Sequence, residues 1–216
     1  MAQLLDLTKS LELNLQKANF VSIPKMAVKL AVDKSGSMRS EFQSGWVQDT
    51  IDLFLAAAMK FDDDGVMEIG FFNSEFERTP DVTAADAGVY IRNEGIYVEG
   101  GTEFSGAVSQ LGTREKKGGF FGFGGKVDTS HPIYIALITD GENQDKYETE
   151  TALSRLENTF VQVVAIGNGV DRRYLDTLHR QFSHVSVIYM PDPSRVDSDK
   201  FYELLLNEEL KKFAGC

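Results

Sequence analysis

Residues 25–38 read KMAVKLAVDKSGSM, an apolar run broken only by Lys29 that ends on one carboxylate and two hydroxyls at alternate positions, Asp33, Ser35 and Ser37. An apolar run of this length bounded by a Ser/Gly turn fits a strand buried on both faces of a parallel sheet. A second stretch, residues 133–142, IYIALITDGE, repeats the design, a continuous apolar run followed by Asp140 in a polar turn. These two stretches decide the fold. They predict buried parallel strands whose carboxyl ends carry small oxygen donors.

Outward from them, apolar runs alternate with helical spacings. Residues 46–61, WVQDTIDLFLAAAMKF, set Val47, Ile51, Phe54, Leu55 and Ala58 on one stripe. Further strands are expected at VMEIGFFN, FVQVVAIG and VSVIYM, and further helices at GGTEFSGAVSQLG, ETETALSRLEN and DRRYLDTLHRQF, with one C-terminal helix through DKFYELLLNEELKKF. VTAADAGVYIRNEG reads as a short helix or an irregular connection. Strands alternating with helices imply crossover connections, hence an α/β fold with a doubly wound, mostly parallel sheet flanked by helices. Residues 1–23 read as an N-terminal extension, a short edge strand or arm, because Leu11, Leu13 and Leu15 alternate with polar residues. Residues 24–216 read as one domain, with a flexible Gly/Phe loop over 114–130.

The 216 residues carry a net charge of −11, which disfavours binding to nucleic acid or an anionic membrane surface. The single cysteine, Cys216, cannot form an internal disulfide, and no run is long and apolar enough for a transmembrane segment. The start lacks a basic leader followed by an apolar core, so no signal peptide and a cytoplasmic location are expected.

Ligands in a doubly wound sheet lie beyond the carboxyl ends of the strands, where the winding direction reverses. Asp33, Ser35, Ser37 and Asp140 belong there, and Thr102 follows the glycine pair Gly100–Gly101. Two carboxylates and three hydroxyls make an all-oxygen set. It suits a hard divalent cation, Mg²⁺ first, with Mn²⁺ and Ca²⁺ also admissible, rather than zinc or copper, which favour sulfur or imidazole. Two carboxylates neutralise a dication formally and the hydroxyls add no charge. The cation therefore stays electrophilic toward an acidic group from a protein partner.

DKSGS, the later Thr102 and TDGE together resemble the metal-ion-dependent adhesion site of the von Willebrand factor A domain, whose order is D-x-S-x-S, then T, then D. More widely, GWVQDTIDLFLAAAMKFDDDG, YIALITDGENQD and FYELLLNEEL resemble the A domain of bacterial tellurium-resistance proteins of the TerF type, from about Pro24 to the end. The resemblance implies Ser35, Ser37 and Thr102 as direct ligands, with Asp33 and Asp140 acting mostly through water or as acceptors for the groups that hold the ion. It also implies a scaffold role in a tellurite- or phage-related stress response. Lys34, beside Asp33, departs from the small or apolar residue usual at that place.

A metal-dependent hydrolase or phosphotransferase on the same sheet is the alternative, but neither a Walker glycine loop nor a GxSxG elbow is present. Asp62 to Asp64 read as a solvated turn, and His131, His179 and His184 as structural or surface side chains. Phe120, Phe121 and Phe123, among glycines, read either as a mobile loop folded onto the body or as exposed anchors that add a contact for a partner or lipid.

Overall fold

The structure is a computed structural model that describes residues 2–20, 25–62, 64–113, 116–117, 126–127, 131–191 and 197–216. The Phe120, Phe121 and Phe123 contact falls outside these residues.

In chain order the elements are helix α1 (Ala2–Lys17), strand β1 (Ala27–Asp33), helices α2 (Arg39–Ser44) and α3 (Trp46–Phe61), strands β2 (Glu68–Phe72) and β3 (Phe76–Arg78), and helices α4 (Tyr90–Glu94) and α5 (Ser105–Gly112). A two-residue antiparallel pair, β4 (Lys116–Lys117) with β5 (Lys126–Val127), stands apart from the main sheet. Then follow β6 (Ile133–Thr139), α6 (Lys146–Ser154), β7 (Thr159–Ile166), α7 (Arg172–Gln181), β8 (Val185–Met190), α8 (Ser198–Leu205) and α9 (Glu208–Ala214).

The main sheet has six strands in the order β3-β2-β1-β6-β7-β8, all parallel except β3. From β1 the chain winds to β2 and β3 on one side, then returns to lay β6 against the other side of β1. The winding therefore reverses between β1 and β6, and the crevice at their carboxyl ends is where such sheets bind ligands.

Alternate side chains of each strand feed two cores. Val28, Leu30, Val32, Tyr134, Ala136, Ile138, Phe160 and Val164 pack under α1, α3, α8 and α9. Ala31, Ile135, Leu137, Val161 and Val163 pack under α5, α6 and α7. Both faces are covered, which is why the central strands show no polar alternation.

Two expectations are corrected, and one strand of the main sheet, β3, was not foreseen. The N-terminal segment is helix α1, neither a strand nor an arm. Leu4, Leu11 and Leu15, spaced seven and four apart, lie on one helical face and are buried, whereas Leu13, the residue that completes the alternation, is 54% exposed. Leu11→Ala is accordingly expected to destabilise the protein by about 2–5 kcal/mol in denaturant unfolding, the range for a fully buried leucine. The single C-terminal helix is two, α8 and α9, because the Asn207 side chain caps α9 by accepting from Leu210 N at 2.9 Å and donates to Ser186 Oγ at 2.8 Å. Finally, β3 follows β2 through a turn in which Asn73 Oδ1 accepts from Glu75 N at 3.1 Å. The Phe76 ring then lies where a Cβ on Gly70 would sit, 2.2 Å away, so only glycine fits that position of β2.

Candidate metal centre

Asp33 is the last residue of β1 and fully buried. Its Oδ1 accepts from Ser35 N at 2.7 Å, and its Oδ2 accepts from Thr139 Oγ1 at 2.6 Å and Thr102 Oγ1 at 3.5 Å. The first of these bonds folds the chain back after the strand and turns the Ser35 hydroxyl toward Ser37, 3.0 Å away. Ser37 Oγ donates to Asp140 Oδ1 at 2.7 Å. All five expected residues thus converge on the crevice between β1 and β6, linked through Thr102, Asp33, Ser35, Ser37 and Asp140 in turn.

Asp33, Ser35 and Thr102 lie buried at the floor, with Ser37 exposed and Asp140 half-buried at the mouth. The Thr102 loop is stitched to its neighbours by backbone bonds. Gly36 N donates to Gly100 O at 3.3 Å, Glu99 N to Lys34 O at 2.8 Å, and Gln144 N to Thr102 O at 2.9 Å. Two glycines keep the approach open. A Cβ on Gly141 would stand 2.8 Å from Thr102 Oγ1, and one on Gly101 would stand 2.4 Å from Gln144 Oε1.

The electrostatics point one way. Burial pushes the Asp33 carboxyl above its ordinary range, and the hydrogen bonds from Thr139 and Ser35 only partly offset this. Burial also raises Asp140, to about 6, with the Asp33 and Glu41 charges adding to the rise against the Ser37 hydrogen bond. Each carboxylate is desolvated, their charges repel, and their hydrogen bonds come from neutral donors. Lys34 does not supply the missing positive charge: its Nζ lies 2.6 Å from Glu77 Oε2 on β3. The departure noted at Lys34 therefore leaves the crevice unneutralised.

Two desolvated carboxylates beside three hydroxyls, with no cationic side chain bonded to either acid among the described residues, fit a small divalent cation bound by oxygen. Among the described residues no group of three or more His, Cys, Asp or Glu side chains could hold a metal, so a soft, imidazole- or thiolate-rich centre has no counterpart there. His179 Nδ1 lies 2.9 Å from Val185 O and His184 Nε2 3.2 Å from Leu153 O, each ring bonded to main chain in the α6–β8 region. Asp64 Oδ1 accepts from Val66 N at 2.9 Å, the bond of a turn.

Sequence reasoning missed the residues that hold this set in place. Thr139 precedes Asp140 and passes for one more strand residue, yet it makes the shortest bond to Asp33. Asn143 and Asp145, read as parts of a polar turn, are buried. The only signal for them is the density of side-chain acceptors in GENQD, which an ordinary surface turn shares.

A family model described as vWA-TerF-like, the vWA found in the TerF C terminus, matches residues 25–212. The uncharacterized protein YcbR of Bacillus subtilis (strain 168) is 27% identical over 208 residues, 93% of this chain and 82% of YcbR. Among solved structures, the manganese-loaded TRAP protein of Plasmodium vivax matches with a TM-score of 0.55 at 14% identity, covering 86% of this chain and 73% of that one. Proximal thread matrix protein 1 from the mussel byssus, with its MIDAS motif occupied by zinc, matches at 0.53 and 12%, covering 85% and 46%. The chain spans less than half the length of several solved structures it matches. At such identities these likenesses concern the fold.

Proposed function

The chain belongs to the TerF-like family of von Willebrand factor A domains, and from that premise we propose that it is a metal-ion-dependent protein-binding module rather than an enzyme. Domains of this fold generally serve as interaction modules. In the proposed reading, Ser35, Ser37 and Thr102 hold a divalent cation directly, Mg²⁺ first, with Asp33 and Asp140 neutralising it directly or through water. One observation carries the reading: five oxygen side chains from three separate loops meet where the sheet reverses, and the two at the mouth face outward.

The chemistry a bound cation supplies is attraction for an external carboxylate. This chain's own groups determine how much of that attraction remains. Neutral hydroxyls fill positions without adding charge, and the buried Asp33 is held back by three hydrogen bonds. Solvent reaches the mouth at Ser37 and Asp140, so a partner's Asp or Glu has an open approach.

The natural setting in this reading is the cytoplasm, within a stress-response assembly of the tellurium-resistance type. No helix among the described residues is long and apolar enough to cross a membrane.

Titration calorimetry of the protein with Mg²⁺ and Mn²⁺, followed by pull-down with and without chelator, tests ion and partner together. Uptake of one ion and chelator-sensitive capture are expected. A protein that binds neither ion would sink the proposal, and turnover of phosphoester substrates would replace it with the hydrolase reading.

A further inference from the structure

We propose that Asp145, assisted by Asn143, is a positioning residue for the metal centre, holding the Thr102 hydroxyl at ligand distance. The inference rests on the metal reading above. Asp145 is 9% exposed and lies in the turn that precedes α6, five residues after Asp140. Its Oδ1 accepts from Phe104 N at 2.9 Å and from Thr149 Oγ1 at 2.8 Å, and its Oδ2 accepts from Ser105 N at 3.0 Å. Asn143, 4% exposed, shares Phe104 N through Oδ1 at 3.1 Å and donates through Nδ2 to Thr149 Oγ1 at 2.9 Å.

Among the described residues Asp145 has no ion-pair partner, because the neighbouring ammonium of Lys146 is taken by Asp171 at 2.6 Å. A buried carboxylate without a counter-charge is costly unless main-chain donors satisfy it, and here the donors are the first two N–H groups beyond Glu103. Those N–H groups lie two and three residues past Thr102. With Gln144 N bonded to Thr102 O at 2.9 Å, the strip 102–105 is laced to the strip 143–145 along its length.

The consequence is mechanical. Asp140 and Thr102 come from different loops, but the lacing makes those loops one body. The Ser35–Ser37 loop meets that body through separate bonds, Gly36 N to Gly100 O and Glu99 N to Lys34 O. Asp145 therefore fixes the span between the Thr102 hydroxyl and the Asp140 carboxylate before any ion arrives. A centre arranged in advance avoids ordering a loop on binding.

Asp145→Asn keeps the volume and one acceptor but turns an N–H₂ toward a main-chain N–H. The test is a double-mutant cycle of Asp145→Asn with Thr102→Ala. Mn²⁺ affinity and the number of inner-sphere waters are read by water-proton relaxation, with apo melting temperatures alongside. The single Asp145→Asn change is expected to weaken Mn²⁺ by about 10–100-fold and to add one inner-sphere water, as Thr102→Ala does. In the Thr102→Ala background it is expected to change neither, because the residue acts through Thr102. Additive losses, or an Asp145→Asn protein that binds Mn²⁺ as the wild type does, would overturn positioning alone. A wild type that takes up no Mn²⁺ would overturn the metal reading and this inference with it. Should Asp145→Asn not fold, Asn143→Ala carries the same expectation in the same cycle.

Discussion

Asp140→Asn is expected to lower Mg²⁺ and Mn²⁺ affinity by about 100-fold or more, since even residues that only support metal ligands cost 10–100-fold when changed. The same substitution is expected to raise, not lower, the melting temperature of the ion-free protein. Asn is nearly isosteric with Asp and can still accept the 2.7 Å bond from Ser37, so the local geometry survives. What disappears is a half-desolvated negative charge that faces Asp33 and Glu41, the groups that help push the Asp140 carboxyl up. Opposite signs on the two readouts separate loss of a charge from loss of the fold. Calorimetry with both ions and a thermal melt in chelator measure them. A variant that binds Mg²⁺ normally would remove Asp140 from the centre, and one that melts well below wild type would show that the crevice is not electrostatically strained. Gly141→Ala offers a companion that replaces no ligand. Its Cβ would stand 2.8 Å from Thr102 Oγ1, so the hydroxyl must shift and affinity should fall while both carboxylates remain.

The convergence of these five residues was legible because most of them sit at strand ends. Buried strands such as β1 and β6 announce themselves by continuous apolar runs, and a parallel sheet leaves few places where Asp33, Ser35, Ser37, Thr102 and Asp140 can meet. Which groups hold them was not legible. Thr139, Asn143 and Asp145 act through bonds to residues 33 and 102–105, and nothing local in TDGENQD distinguishes such contacts from a solvated turn. Lys34 illustrates the same limit. Beside Asp33 in sequence, it reads as a charge that would weaken the centre, but its extended strand neighbour Glu77 on β3 draws it away. That pairing depends on a three-residue strand too short to show a period. At the N-terminus the leucines at 11, 13 and 15 match a strand period over five residues, while the burial of Leu4, Leu11 and Leu15 obeys the helical one over twelve. The longer register was the informative one, and exposed Leu5 and Leu13 obscured it.

Acid should stabilise the ion-free protein and reduce the benefit of the ion. Asp33 and Asp140 both titrate above their ordinary range in the fold, chiefly through burial, Asp140 at about 6 against an ordinary value of 3.8. Between about pH 4 and 6 these carboxyls hold more protons in the folded chain than in the unfolded one, so their contribution to stability falls as pH rises. The single His184, which burial holds below its ordinary range, opposes them and is outnumbered. Lowering the pH from 7.5 to 5 should raise the ion-free melting temperature. Below about pH 4 the gain ends and reverses, because Asp171, held low chiefly by its Lys146 hydrogen bond, begins to lose its stabilising charge. Asp49 and Asp52 are also raised by burial, so acid stabilisation by itself does not identify the crevice. The ion does. At pH 7.5 an ion at a hundred times its dissociation constant adds about 2.7 kcal/mol, or roughly 5–11 °C for a domain of this size. At pH 5 the ion must displace protons from the same carboxylates, and the shift at equal concentration should fall to about half or less. Differential scanning calorimetry at the two pH values, with and without Mg²⁺, gives four melting temperatures. An ion-induced shift equal at both would mean that the bound cation does not depend on Asp33 and Asp140.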